Sequence, residues 1–152
     1  MGRREELARD EAVVWEELTA CLARLSPDGF DRPVLNADGW SAKDLMWHVA
    51  FWCADAARAL AEIRAGTFDR ASEREDPREI DSRNDAQLAR SRAMERAEVE
   101  AELHRARASM LERFGALHVL TAEADEWFEE SGPIHYAEHL PELRSFARAS
   151  GL

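Results

Sequence analysis

Lysine is nearly missing from this chain: Lys43 is its only one, against a formal net charge of −11. Nucleic-acid phosphates repel an acidic surface unless a local basic patch overrides the average. The arginines are scattered among acids, so no such patch forms and a nucleic-acid partner is disfavoured. Cysteine is scarce as well. Cys21 and Cys53 lie far apart in apolar stretches, which suits small buried hydrophobes and forms neither a redox CxxC pair nor a zinc knuckle. No run of 18 apolar residues exists, so no membrane span is expected. The first ten residues are charged and hold no apolar signal-like stretch, which predicts a cytoplasmic protein. Strand-like alternation and internal repeats are also lacking.

What is present points to helices. Apolar residues make up 45% of the 152 and charged residues 34%, a mix that suits a folded helical domain with a solvated surface. One domain over residues 1–152 is expected, long enough to bury a core without disulfides. Ala8, Ala12, Trp15, Leu18, Leu22 and Leu25 recur at helical steps and predict a first helix over 3–25. Ser26, Pro27, Asp28 and Gly29 stop it. Ser41, with Asp44 three residues on, predicts the start of a second helix that ends at Gly66. A polar connector over 67–80 is long for a bundle loop. Helix resumes over 81–117, with a bend or break expected at the polar stretch 91–96. A short helix follows over 121–130, broken by Ser131 and Gly132. Pro133 opens a last helix that runs to about 149, with a kink expected at Pro141. The expected fold is an all-α four-helix bundle with a short extra helix before the last.

His135 and His139 lie four apart on that last helix, so both rings project from one face. Neutral imidazole ligates zinc, copper, iron and nickel, and this spacing lets two rings meet one ion. The pair alone is a weak signal. His48 strengthens it, because it falls on the apolar stripe of helix two between Leu45 and Trp52 and should point inward. A buried histidine needs partners. One structural hydrogen bond would serve, and so would a third place on a metal, leaving a position open for water or substrate. His104 and His118 read as structural or solvated.

Three stretches resemble a known family: GWSAKDLMWHVAFW at 39–52, EIDSRN at 79–84 and HYAEHL at 135–140. Together they resemble the DinB-like superfamily, most nearly its colibactin self-resistance (ClbS/DfsB-like) branch, with mycothiol-dependent maleylpyruvate isomerase N-terminal domains as relatives. The resemblance implies a four-helix bundle holding a divalent metal through His48, His135 and His139. Zinc or nickel would be the ion, with iron as a third candidate. It also implies small-molecule chemistry, either hydrolysis of a reactive natural product or transfer that uses a low-molecular-weight thiol cosubstrate. The related sulfoxide synthases carry Glu two residues after the second His; Pro141 stands there, so that activity is set aside.

Other residues near the predicted centre each carry two readings. Asn84 could position a ligand or cap a helix. Trp52 could line a pocket or pack the core. Asp55, two turns after His48, could serve as a general base or form a surface ion pair. Tyr136, Trp15 and Trp127 could wall a substrate site or simply pack. Three functional expectations follow. One is a metal-dependent enzyme acting on a small molecule. Another is a non-catalytic protein that sequesters one for self-resistance. The third is a structural, homodimeric bundle in which His48 is merely buried.

Overall fold

The computed structural model describes residues 2–73 and 76–149; the connector's residues 74 and 75 and the chain ends, 1 and 150–152, lie outside the described residues. Helix α1 spans Arg3–Ala23 and buries Leu7, Glu11, Trp15, Leu18, Cys21 and Leu22. Trp15, Leu18 and Leu22 face inward as expected, whereas in the first half Leu7 and Glu11 are buried in place of Ala8, which is exposed. A short 3-10 turn, Pro27–Gly29, follows.

Helix α2, Ala42–Ala65, begins at the predicted cap. Ser41 Oγ accepts from the Asp44 amide at 3.1 Å, and Asp44 Oδ2 accepts from the Ser41 amide at 2.9 Å. Two otherwise orphaned donors are thereby satisfied. Gly66 ends α2 at φ +75°, a left-handed conformation that glycine adopts without a steric penalty. The connector is shorter than expected. It holds a 3-10 turn, Arg70–Glu73, and α3 starts at Pro77 rather than residue 81. Asp76 caps α3 by accepting from the Arg78 amide, and Pro77 needs no partner for an N–H it lacks.

The break expected at 91–96 is present: α3 spans Pro77–Arg92 and α4 spans Arg96–Gly115. The break expected at Ser131 and Gly132 is not. Helix α5, Ala122–Glu129, passes through a π-helical segment, Glu130–Ile134, directly into α6, His135–Ala149. Pro133 lies inside that segment, where the wider turn absorbs its missing N–H. Helix α6 runs on through Pro141.

No strand occurs among the described residues. Helix α2 packs along α4 and α1 along α6, with α3 and α5 against α2. The core between them includes Leu18, Leu45, Val49, Leu60, Val99, Leu103, Met110, Phe128 and Leu143, all at most 2% exposed. The architecture is the expected all-α bundle. No helix among the described residues is long and apolar enough to cross a membrane.

Candidate metal centre

The capped start of α2 and the π segment at the start of α6 place three imidazoles at one point. His48 Nε2 lies 3.0 Å from His135 Nε2, which lies 3.1 Å from His139 Nε2. One ligand atom from each of the three falls within 4.8 Å of the others. Imidazole nitrogens about 2.0–2.1 Å from a shared ion stand roughly 2.8–3.4 Å apart across angles of 90–109°. The two close separations fit that range.

Proton counting leads to the same donor set. His139 Nδ1 lies 2.8 Å from Glu142 Oε1, and a carboxylate can only accept, so Nδ1 carries a proton and Nε2 is the lone pair of the neutral ring. His135 Nδ1 is buried without a partner. A proton on His135 Nε2 can serve only one of its two neighbours, and a proton moved to Nδ1 is stranded there. A cation accepts all three Nε2 lone pairs at once. Burial pushes His48 down to about 3, and a proton on His139, when present, pushes it the same way. Burial, then His48 and His139, push His135 down to about 3 as well. Both rings are neutral at physiological pH, the form that ligates.

A cavity of about 650 Å³ opens onto His48 and His135. Trp52, Trp127, Phe68 and Ile80 form its apolar walls, and Asn84 and Ser131 add polar groups. Phe68 meets the Trp127 ring edge-on at 6.1 Å. Asn84 Oδ1 is buried without a partner, leaving an acceptor free for a ligand or water. Glu123, Glu126 and Glu130 also line the cavity, with Arg70. Trp40, outside the cavity lining, flanks the centre, its ring 4.8 Å from that of His48 and near-parallel to that of His139 with centroids 6.4 Å apart.

The structure thus brings His48, His135, His139, Trp52, Asn84 and Trp127 to one region. Trp15, Tyr136 and Asp55 lie elsewhere. Trp15 is 7% exposed and packs between Arg107 and Tyr136. Tyr136 is fully buried, and its hydroxyl donates to Glu11 Oε1 at 3.2 Å and lies 3.5 Å from Cys53 Sγ. Asp55 pairs with Arg58 at 3.0 Å and Arg83 at 3.9 Å and is absent from the cavity lining. Burial pushes the Cys53 thiol up to about 12, which removes it as a nucleophile at neutral pH.

Sequence reasoning missed Trp40, Glu142 and the cavity's glutamates. Glu142 had a visible signal, three residues after His139 on one helical face. Trp40 belongs to the 39–52 stretch but precedes the helix, so no periodicity marks it.

Comparison with curated proteins and with solved structures returns no match. Comparison with protein families matches residues 12–144 to one described as the mycothiol maleylpyruvate isomerase N-terminal domain. That is the relative placed beside the colibactin-resistance branch by the sequence motifs. With most of its length matched, the chain belongs to the mycothiol maleylpyruvate isomerase N-terminal domain family, within the DinB-like superfamily.

Proposed function

We propose that His48, His135 and His139 hold a divalent ion, zinc or nickel before iron, and that the protein is an enzyme acting on a small molecule bound in the adjoining cavity. The observation that carries this reading is the convergence of three Nε2 atoms, two neighbouring pairs of which are 3.0 and 3.1 Å apart. A metal held by three protein ligands supplies Lewis acidity and lowers the pKa of a bound water or thiol. The residues of the chain do the rest. Trp52 and Trp127 bind the apolar part of the substrate, Asn84 Oδ1 orients a donor group on it, and Trp40 excludes water from the far side. The reaction is hydrolysis or transfer of a low-molecular-weight thiol to an electrophile, and the family description favours a thiol of the mycothiol type.

Charge narrows the electrophile. Among the described residues three glutamates line the cavity with a single arginine, Arg70, which is already paired with Glu123 at 3.3 Å and Glu126 at 3.7 Å. With a divalent ion bound, a carboxylate on the substrate would be met by the ion rather than by Arg70, while one held away from the ion would face the glutamates, so any anionic group belongs at the metal end of the cavity.

Metal analysis of protein grown with trace metals, before and after dialysis against chelator, tests the reading. Stoichiometric metal is expected in the wild type and loss of it in the His48→Ala, His135→Ala and His139→Ala variants. A metal-free wild type that also refuses added zinc, nickel and iron would sink it. The aromatic walls favour a second reading, sequestration without turnover. Ligand binding that is unaffected by chelator, with no product formed, would select it.

A further inference from the structure

The three histidines are not equivalent, and the difference assigns a role to a residue outside the trio. His48 and His135 line the cavity, whereas His139 does not. His139 has the Trp40 ring near-parallel to its own at 6.4 Å and is held from behind by Glu142, whose Oε1 lies 2.8 Å from Nδ1. His135 has no such support, since its Nδ1 has no partner. We propose that Glu142 is a positioning residue for the metal centre: it accepts the Nδ1 proton of His139, fixing the tautomer in which the Nε2 lone pair faces His48 and His135. This rests on the metal-dependent reading above, but its first test does not.

The geometry favours Glu142 over other acids nearby. It is one turn from His139 on the same helix face, and its side chain is 28% exposed against 18% for the imidazole, so water competes only partly for the bond. Glu138, adjacent to His139 in sequence, is exposed and has no such contact with the ring. Carboxylate partners of this kind orient ligating histidines and raise their basicity, and removing one typically weakens metal binding about 10- to 100-fold. The result is one rigid ligand on the closed side and two ligands on the side that admits substrate.

The first measurement is made on the wild-type chain without metal, at a pH where the imidazoles are neutral. Long-range ¹H–¹⁵N correlation reads the His139 tautomer directly. The Nδ1–H form is expected, and an Nε2–H form overturns the proposal whether or not metal ever binds. The second measurement is zinc affinity by chelator competition. Glu142→Ala should bind zinc about 10- to 100-fold more weakly. Glu142→Gln keeps an accepting oxygen and should lose less. Glu138→Gln removes the same charge from the same helix and should bind as the wild type does. Wild-type affinity in Glu142→Ala, or an equal loss in Glu138→Gln, overturns the proposal, the latter by showing that only bulk charge matters. Far-ultraviolet circular dichroism confirms that each variant is folded. If the wild type binds no zinc, the metal reading fails while the tautomer result still judges Glu142.

Discussion

Glu11 is 1% exposed in the middle of an otherwise apolar face. A lone buried carboxylate would be costly, but Arg107 grips both its oxygens, at 2.6 and 2.9 Å, and the Tyr136 hydroxyl donates to one of them. Three helices are tied at that point. Removing the carboxylate leaves Arg107 and Tyr136 without their partner, so Glu11→Ala should destabilise the fold by about 3 kcal/mol, read from urea denaturation. Arg107 is 22% exposed, which keeps the figure at the low end. A second prediction follows from His48 and His135, held at about 3 in the folded chain against 6.5 for free imidazole. Between those values the unfolded chain binds protons that the folded one refuses. Stability of the metal-free protein is therefore full above about pH 6.5 and declines as the pH falls towards 3. Urea midpoints across that range should show the slope, and His48→Gln should flatten it. The histidines were legible because they combine an i, i+4 pair with a stripe position. Glu11 was not, because hydrophobic periodicity has no term for an acid whose partners lie 96 and 125 residues away. Tyr136 takes the packing reading of its two: its neighbour His135 faces the centre while Tyr136 turns into the core.

At the scale of elements, the π segment decides where the histidines point. Ser131 and Gly132 read as a helix breaker in sequence, yet both have conformations compatible with helix, and Pro133 is accommodated by one wide turn. That turn holds an extra residue, and each residue of an α-helix turns the chain by about 100°. Deleting Ser131 should convert the segment to regular helix and rotate His135 and His139 away from His48. The expected outcome is unchanged helical content by circular dichroism and loss of zinc binding; retained affinity would show that the rotation is absorbed elsewhere. The start of α2 was read correctly from Ser41 and Asp44, because capping is local chemistry. What locality hid is that Asp44, 3% exposed, also accepts from Ser91 Oγ at 2.6 Å and so ties α3 to α2. Ser41→Ala should cost about 1 kcal/mol, measured as a lowered urea midpoint without change in the slope.

For the whole molecule, the bundle was legible in the periodicity of its helices, whereas the cavity was not. Its walls come from α2, the connector, α3, α5, the π segment and the start of α6, and only their packing creates the space. A metal that binds the folded chain alone stabilises it by mass action, about 2.7 kcal/mol at a free concentration 100-fold above Kd. Zinc should therefore raise Tm by roughly 5–10 °C, reversibly with chelator; equal midpoints with and without metal would contradict binding to the folded state. One last feature is the solitary lysine. Lys43 Nζ donates to the Met94 carbonyl at 2.7 Å and pairs with Asp31 at 3.1 Å, and only 10% of its side chain is exposed. In the native chain, amine-reactive labels therefore reach this lysine poorly. Each label that appears on Lys43 marks a moment when the start of α2 had come away from the turn between α3 and α4, so the rate of acylation at a single atom becomes a clock for local opening there.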